Sequence, residues 1–269
     1  MAMMPAWAQT TYYVSLESLA RAAPYTIWAA AATNIQDAVG VATNGDTVLV
    51  TNGTYQLYSQ VLVTNGIIIQ SVNGAAVTIV DGGYPARTNR CFFLNHSNAV
   101  LDGFTITGGR TNYNGGGVQC YYGPTVRNCL ITRNSSGSYG GGLYAYYGAT
   151  VQNCVISSNA AVSGGGGVDS YGGIVMQNCL VVANASTNVG TGGGGIFCQE
   201  GGLIENCTIS SNVAYGTGGL YINNATVRNS IVYGNYSIFG VSSNINASGY
   251  TALYTCAAPL PSGTGNISS

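Results

Sequence analysis

A nine-residue pattern recurs along this chain at intervals of about 25 residues, and it restricts the fold more than any other feature of the sequence. The clearest copies occupy residues 126–134, 151–159, 176–184, 204–212 and 227–235, and each has asparagine at its third and ninth positions. A divergent copy at 101–109 has Gly103 at the third position. A repeat of this length, with short apolar segments and Gly- or Asn-rich turns, is typical of one coil of a parallel β-solenoid.

Alternation within the short strands assigns residues to the interior or to the surface. Three aliphatic columns are predicted to face inward and to stack at about 4.8 Å per coil. They are Val118, Leu143, Val168, Ile196 and Leu220; Val126, Val151, Met176, Ile204 and Val227; and Ile131, Ile156, Val181, Ile209 and Val232. This arrangement predicts one continuous core along the solenoid.

Four of the eight cysteines form a further inward column with one cysteine per coil. They are Cys129, Cys154, Cys179 and Cys207. We interpret them as buried thiols, because metal ligands converge on one point instead of following a ladder. The sequence leaves open whether Cys91, Cys120, Cys198 and Cys256 form a disulfide.

Both asparagine columns are predicted to occupy turns. Asparagine tolerates the left-handed backbone conformation, and its amide can bond to the amide of the next coil. Glycine accepts the same conformation, so Gly103 supports this interpretation. The glycine runs at 164–167 and 192–195 are also interpreted as solenoid turns and not as phosphate-binding loops, because the chain contains no lysine.

The chain divides into four parts. Residues 1–8 end in a small-x-small pattern, Ala6-Trp7-Ala8, and are interpreted as the remnant of a secretory signal peptide, with a disordered cytosolic leader as the alternative. Residues 9–45 contain an N-terminal strand and, at 34–42, a short helix that is predicted to cap the first coil. Residues 46–256 form the coils, and residues 257–269 form a tail rich in proline, glycine and serine.

No comparable cap is recognisable after the last coil. An open coil exposes unpaired N–H and C=O groups, which are a template for another chain. The sequence therefore leaves two alternatives: the native chain continues past Ser269, or the exposed coil stacks on a second copy. Stacking end to end does not close, so it predicts self-association into a filament.

The charge composition excludes some function classes. Only 6% of the residues are charged, the formal net charge is −1, and lysine is absent. A nucleic-acid-binding protein needs a basic stripe, which the seven arginines of this chain do not form. No apolar run approaches the ~18 residues of a membrane-spanning helix, so no membrane span is predicted.

Several segments resemble one group of proteins. Residues 32–39, 45–50, 52–55 and 102–106, together with the Asn-Cys-x-Ile repeats, are similar to secreted bacterial right-handed β-helix repeat proteins of the pectin-lyase-like superfamily. The resemblance covers nearly all of residues 30–256. It implies an all-β fold, a single-stranded right-handed parallel β-helix. That superfamily includes polysaccharide lyases, glycoside hydrolases and non-catalytic surface or adhesion proteins, so the resemblance leaves the activity open.

A catalytic constellation is not recognisable in the sequence. Glycoside hydrolysis needs a paired acid and base. Asp102 and Glu205 instead fall in one outward column, in the order Asp102, Arg127, Gln152, Gln177, Glu205 and Arg228, which predicts two cross-strand ion pairs and a glutamine stack. The alternative is a lyase with Arg127 or Arg228 as the base, Asp169 as a further site residue and a bound Ca²⁺. His96, the only histidine, is interpreted as a solvated turn residue.

Aromatic side chains are the most unusual surface feature. Tyr121, Tyr146 and Tyr171 are predicted to stack in register, with Tyr122 and Tyr147 beside them. A neighbouring outward column contains Gln119, Tyr144, Asp169, Phe197 and Tyr221. Such ladders can bind the faces of sugars or another protein, although aromatic residues also suit solenoid strands.

The sequence therefore favours a non-catalytic extracellular β-helix with a surface, adhesive or self-assembling role. Its predicted binding residues are Tyr121, Tyr144, Tyr146, Tyr171, Phe197 and Tyr221. Polysaccharide is the expected ligand, and no metal or cofactor is expected. The alternative is a polysaccharide lyase or glycoside hydrolase, and Ca²⁺ is expected only for the lyase.

Overall fold

The computed structural model describes residues 9–189, 192–240, 243–259 and 261–268. The predicted signal-peptide remnant at 1–8 lies outside these residues. The described chain is a parallel β-helix, as predicted, in which each strand pairs with the strands one coil before and after it. We number its four sheets 1 to 4 in the order in which a central coil visits them.

Sheets 1 and 2 carry the repeated nine-residue pattern. The strands of sheet 1 are Thr11–Val14, Thr47–Val50, Ile68–Ser71, Val100–Asp102, Thr125–Arg127, Thr150–Gln152, Val175–Gln177, Leu203–Glu205, Thr226–Arg228 and Thr251–Leu253. The strands of sheet 2 are Gly53–Gln56, Thr78–Asp81, Thr105–Thr107, Leu130–Thr132, Val155–Ser157, Leu180–Val182, Thr208–Ser210, Ile231–Tyr233 and Cys256–Ala257. The turn between these sheets therefore falls at the third position of the pattern.

Sheets 3 and 4 complete each coil. The strands of sheet 3 are Arg110–Thr111, Ser135–Tyr139, Ala160–Ser163, Ala185–Ser186, Val213–Ala214 and Tyr236–Ser237. The strands of sheet 4 are Val61–Val63, Phe92–Leu94, Val118–Tyr121, Leu143–Tyr146, Val168–Tyr171, Ile196–Gln199, Leu220–Asn223 and Ile245–Ser248. A 3₁₀ helix at Trp28–Ala30 and an α-helix at Ile35–Val41 precede the coils.

The predicted core is confirmed. All fifteen aliphatic residues of the three inward columns have no exposed surface, and the registers pair them like on like between coils. Burying one such side chain contributes roughly 1.5–3 kcal/mol relative to leaving it exposed. Stacked columns therefore hold the four sheets together, and they leave the outer surface of each sheet free for other residues.

The first asparagine column occupies left-handed turns, as predicted. Asn128, Asn153, Asn178, Asn206 and Asn229 have φ between 50° and 55°. Gly103 has φ 83° at the same point of the earlier coil. This turn bends the chain from sheet 1 into sheet 2, and the residue types follow from the backbone conformation.

The prediction that the second asparagine column is left-handed is wrong. The left-handed residues are those just before it, such as Ser158 and Ala183, both with φ 56°. The asparagines themselves are buried, and each Nδ2 donates to Oδ1 of the asparagine one coil further on, at 2.9–3.1 Å. This buried ladder consists of Asn134, Asn159, Asn184, Asn212 and Asn235, and it continues to Asn244. The ladder therefore provides hydrogen bonds to polar groups inside the protein, and its asparagines do not form the turn.

The glycine runs before sheet 4 are required by close packing and not only by turn conformation. A Cβ on Gly166 would lie 2.3 Å from the carbonyl oxygen of Ala185, and a Cβ on Gly167 would lie 3.0 Å from the amide of Asn184. The pairs Gly116-Gly117, Gly141-Gly142, Gly194-Gly195 and Gly218-Gly219 make equivalent contacts. The paired glycines thus let the backbone pack directly on sheet 3 and on the asparagine ladder.

Both ends of sheet 1 are covered. At the first strand, Tyr13 N donates to Tyr25 O and Ala32 N donates to Tyr13 O, and the helix Ile35–Val41 follows, with Asn34 as its N-cap. At the last strand, the tail folds back, with Tyr254 N donating to Thr264 O at 2.9 Å. These contacts protect edges that would otherwise expose unpaired backbone groups.

The expectation of an open last coil is therefore wrong for sheets 1 and 2. The side chain of Asn266 accepts from Thr255 N at 2.8 Å and donates to Ala252 O at 3.0 Å. Ile267 N donates to Thr255 O, which covers the end of sheet 2. Self-association through the solenoid ends stays a prediction. At sheets 1 and 2, however, the tail covers the strand edges that this prediction assumed to be open.

All eight cysteines lie in the described residues as unpaired thiols. The column Cys129, Cys154, Cys179 and Cys207 is buried, as predicted. Cys120 and Cys198 share another inward column three coils apart, or about 14 Å at 4.8 Å per coil, which exceeds the Cα separation of ~7 Å that a disulfide spans. Burial raises the pKa of Cys91 and of Cys198 to about 12.

We expect Asn184→Ala to destabilise the protein by about 3 kcal/mol or more. Oδ1 of Asn184 accepts from both N and Nδ2 of Asn159, so alanine would leave buried donors without partners. Asn178→Gly is the matched control, because Asn178 is exposed and left-handed and its position is glycine in an earlier coil. Its change should stay within about 1 kcal/mol. Urea denaturation of both variants measures the difference, and similar losses would contradict a special role for the buried ladder.

We expect one cysteine to react with a thiol reagent in the native protein and eight after unfolding. Seven cysteines are buried, and Cys256 is the partly exposed one. Mass spectrometry after labelling identifies the modified residues. Rapid labelling of Cys154 or Cys179 in the native protein would show that the assignment of these residues to the interior is wrong.

Candidate functional site on sheet 4

The outer surface of sheet 4 carries three rows of residues in register. The inner row is Phe93, Gln119, Tyr144, Asp169, Phe197 and Tyr221. The middle row is Tyr121, Tyr146, Tyr171 and Gln199. The turn row that follows the strands contains Tyr122, Tyr147, Gly172, Glu200 and Asn224. Three neighbouring coils thus place their aromatic residues on one face.

The predicted tyrosine stacking is confirmed. Tyr146 and Tyr171 stack with ring centroids 5.5 Å apart and planes 15° apart, and Tyr122 and Tyr147 stack at 5.9 Å and 13°. Tyr121 joins Tyr146 in a tilted contact at 5.3 Å. We call these five residues the tyrosine ladder. Aromatic pairs in such geometries contribute about 0.5–1.5 kcal/mol each beyond the area they bury.

Two tyrosines of the ladder have a backbone conformation that is energetically unfavourable for a residue with a large side chain. Tyr122 has φ 67° and Tyr147 has φ 59°, a left-handed conformation that bulky residues seldom adopt. Gly172 and Asn224 adopt the same conformation in later coils at lower cost. The backbone conformation does not favour tyrosine at these two positions, so we attribute its presence to the aromatic ring. Both residues are more than half exposed.

The inner row differs from the expectation of an exposed aromatic column. Tyr144 and Phe197 are predicted binding residues, but both are buried, as are Gln119 and Asp169. The chain segment between sheets 3 and 4 covers this row. Tyr139, at the end of a sheet 3 strand, packs on Tyr144 at 6.5 Å between ring centroids. Strand alternation could not reveal this cover, because the cover comes from another part of the coil.

Phe197 and Tyr221 form a stacked pair of their own, with ring centroids 4.7 Å apart. Tyr221 remains partly exposed. The ladder residues Tyr121 and Tyr146 are also partly exposed, and Tyr171 is 37% exposed. Four of the six predicted binding residues therefore reach the surface, and the other two support it from below.

A pocket of about 250 Å³ opens where the ladder ends. It is lined by Tyr139, Tyr144, Asp169, Tyr171 and Gln199. In the next coil the middle row continues with Gln199, and the turn row has Gly172 beside Tyr147. Among the described residues, the last tyrosine of each row therefore has no aromatic ring of the next coil stacked on it, and Tyr171, the last of the middle row, lines the pocket.

Asp169 is the chemically distinctive residue of this pocket. It is 4% exposed, and its Oδ2 accepts one hydrogen bond, from Gly165 N at 3.0 Å. Gly164 has φ 64°, and a Cβ there would lie 1.8 Å from Oδ2 of Asp169. Glycine at 164 thus makes room for the carboxylate as well as for the backbone conformation.

Burial raises the pKa of Asp169 to about 7, although the hydrogen bond from Gly165 N favours the charged form. Burial also raises the pKa of Tyr144, with the charge of Asp169 as a further cause. The neighbouring carboxylate of Glu200 raises the pKa of Tyr171. The pocket therefore combines a carboxyl that changes protonation near neutral pH with tyrosine hydroxyls and a second carboxylate nearby.

Arg127 and Arg228 do not belong to this site. Both lie on sheet 1, four coils apart, which corresponds to about 19 Å at 4.8 Å per coil. Nε of Arg127 lies 2.9 Å from Oδ2 of Asp102, and Nε of Arg228 lies 2.6 Å from Oε1 of Glu205. Gln152 donates to Gln177 and Gln177 to Glu205, at 2.8 and 2.9 Å. The predicted ion pairs and glutamine stack are confirmed, and these arginines are not brought together with Asp169.

Three residues of the pocket region were not singled out from the sequence. Gln199 and Glu200 follow from the register, because they occupy the positions of Tyr171 and Gly172 one coil later. Tyr139 carries no comparable signal, since it reaches the pocket from sheet 3. Among the described residues, no group of three or more His, Cys, Asp or Glu side chains is placed to hold a metal ion. None of the described helices has the length and apolarity needed to cross a membrane.

Comparisons with known proteins find similarity to solved structures only. No family model matches the sequence, and no curated protein sequence matches it. The solved structure of pectin methylesterase PemA from Erwinia chrysanthemi is similar at 12% identity and a TM-score of 0.48, covering 91% of this chain and 78% of that chain. A rhamnogalacturonan lyase is similar at 16% identity and a TM-score of 0.47, covering 91% and 74%.

The chain is a parallel β-helix protein. Its own strand pairing establishes this, and the fold is the one that the resemblance to the pectin-lyase-like superfamily implied. At such low identities the likeness transfers no activity and no site residue.

We expect the stability of the protein to fall as the pH rises from about 4 to about 7, relative to Asp169→Asn. The folded state binds the proton of Asp169 more tightly than the unfolded state, so this contribution is complete below the unfolded pKa and is lost as the pH rises through the folded pKa. Across this pH range, the difference in the free energy of unfolding between the two proteins should change by roughly 4 kcal/mol. Chemical denaturation across this pH range measures it, and parallel pH profiles would show that Asp169 is not desolvated.

Proposed function

We propose that this protein is a carbohydrate-binding parallel β-helix whose site is the tyrosine ladder and the adjoining Asp169 pocket. The observation that carries the proposal is the end of the ladder. There, Tyr171, which stacks on Tyr146, lines a pocket that also contains a carboxyl and an amide side chain. Carbohydrate sites commonly combine aromatic faces, on which the apolar side of a sugar ring packs, with a few polar groups that fix orientation.

The repeat spacing supports binding of an extended chain. The ladder spans three consecutive coils, so its rings recur at about 4.8 Å along the solenoid axis. The exposed rings Tyr122 and Tyr147 extend the surface away from the pocket. A glycan running along the axis would contact several rings and place one of its sugars at the pocket.

The proposal includes a non-catalytic, extracellular role at a surface or in adhesion. The small-x-small pattern before Gln9 supports secretion. The low charge of the chain gives the protein a weak electrostatic field, which suits attachment to glycans. Glycan binding by an extended surface of this kind needs no cofactor.

Polysaccharide cleavage is the second candidate, and one observation favours it. A carboxyl with a pKa near 7 can act as a general acid or base at neutral pH. Glu200 is the second carboxylate of this region, through its contact with Tyr171. Hydrolysis of a glycoside uses two such groups on opposite sides of the bond.

We expect Tyr147→Ala and Tyr171→Ala each to weaken glycan binding by about tenfold, since each removes an aromatic face of the site. Tyr233→Ala is the matched control, because Tyr233 is 52% exposed but lies on sheet 2. Binding to a panel of neutral, amino and acidic polysaccharides is measured by titration calorimetry.

Three outcomes of this experiment are informative. Equal losses in all three variants would contradict a site on sheet 4, and failure of every glycan to bind would overturn the proposed function. Release of reducing ends or unsaturated products, abolished in Asp169→Asn, would instead support cleavage.

A further inference from the structure

The two carboxylates beside the tyrosine ladder have no cationic partner in the described protein. The ion pairs that the structure contains join Arg21 to Asp37, Arg127 to Asp102 and Arg228 to Glu205. Neither Asp169 nor Glu200 takes part in one, and the chain has no lysine. This face of sheet 4 therefore offers carboxylates that form no ion pair with a basic side chain of the described residues.

The arginine at the other end of this face is already occupied. Arg90 lies over the ring of Phe93, with its guanidinium carbon 5.7 Å from the ring centroid. Its nitrogens donate to Gly115 O at 2.8 Å, to Asn114 O at 2.6 Å and to Gln60 Oε1 at 2.7 Å. With these donors engaged, Arg90 has little capacity left to recognise an acidic sugar.

The pocket walls suit a cation. Tyr139, Tyr144 and Tyr171 surround Asp169, and the faces of aromatic rings attract ammonium groups. Asp169 itself is almost fully buried with one hydrogen bond from the backbone. A buried carboxylate of this kind is costly unless an opposite charge reaches it, and a bound ammonium group would supply that charge.

We propose that the Asp169 pocket takes the protonated amino group of an amino sugar, with the rest of the glycan on the tyrosine ladder. This inference rests on the proposed carbohydrate-binding function and names the class of glycan. Asp169 accepts hydrogen bonds from the ammonium group, Tyr144 and Tyr171 contribute their rings, and Glu200 adds negative charge at the rim. Polyuronates are rejected, because their carboxylates would face Asp169 and Glu200 at a pocket whose described lining contains no arginine.

The volume of the pocket agrees with this assignment. At about 250 Å³ it is smaller than the ~300–1,000 Å³ of pockets that enclose a whole small-molecule ligand. It therefore suits one sugar residue or its substituent, while neighbouring sugars of the same chain lie on the exposed rings.

The test compares three probes on the full chain at neutral pH: glucosamine oligomers, N-acetylglucosamine oligomers of equal length, and polygalacturonate. Acetylation removes the positive charge and keeps the ring. We expect glucosamine oligomers to bind at least about tenfold more tightly than the acetylated ones, since a charge-assisted hydrogen bond would be lost. Polygalacturonate should bind more weakly than both.

Asp169→Asn keeps the side-chain shape and an oxygen that can accept from Gly165 N. It should abolish the preference for glucosamine oligomers, because it should weaken their binding at least about tenfold more than that of the acetylated oligomers. Glu205→Gln is the matched control, because it removes one carboxylate from sheet 1 and should keep the preference. Thermal unfolding of each variant confirms that it is folded.

The outcomes separate the two proposals. Equal binding of charged and acetylated oligomers, or tighter binding of polygalacturonate, would overturn the amino-sugar assignment while carbohydrate binding stands. Equal weakening of both oligomers by Asp169→Asn would show that Asp169 has a structural role only. No binding of any probe, or of any glycan in the wider panel, would overturn carbohydrate binding itself.

Discussion

The buried asparagine ladder is the interaction on which the coil geometry depends. Along the ladder, a side-chain oxygen accepts from both the backbone N and the Nδ2 of the asparagine one coil earlier, as Oδ1 of Asn184 does from Asn159 at 3.0 Å. A shift of one residue in the register would remove a buried amide from its partners, at a cost of several kcal/mol. The ladder therefore holds each coil in a single register with the next. Every column on the outer surface depends on that register.

The ladder also determines where glycine must occur. Gly142, Gly167 and Gly195 pack against the side-chain amides of the ladder, while the glycine before each of them packs against the carbonyl groups of sheet 3. This close packing brings the segment after sheet 3 across the inner row of sheet 4. The same segment covers Tyr144 and Asp169 and contributes Tyr139 to the pocket. The burial of Asp169, and with it the raised pKa, is thus a consequence of how the coil closes.

The pocket lies at the point where the repeat is interrupted. Tyrosine occupies the turn row in two consecutive coils, and glycine follows at 172. The middle row changes from tyrosine to Gln199 in the coil after Tyr171. A perfect repeat would have continued the stack and filled this space. In a solenoid, whose coils are nearly equivalent, a binding site arises where the columns differ, since only there do ring faces and polar groups become accessible together.

The sequence by itself determined the fold, the core columns and the outer columns of this protein. The reason is that a residue and its equivalent about 25 positions later are neighbours in space, so the repeat converts sequence position directly into contact. Only the tertiary structure decided how the rows are covered. The sequence predicts turns at the glycine pairs, because it does not show that their contacts lie on sheet 3. It predicts left-handed ladder asparagines, although the residues before them adopt that conformation. Nothing in the tail sequence indicates that Asn266 bonds to the last coil. Tyr139 and Asp169 meet through the closure of a coil, and contacts of that kind depend on the path of the chain between strands, which strand alternation does not encode.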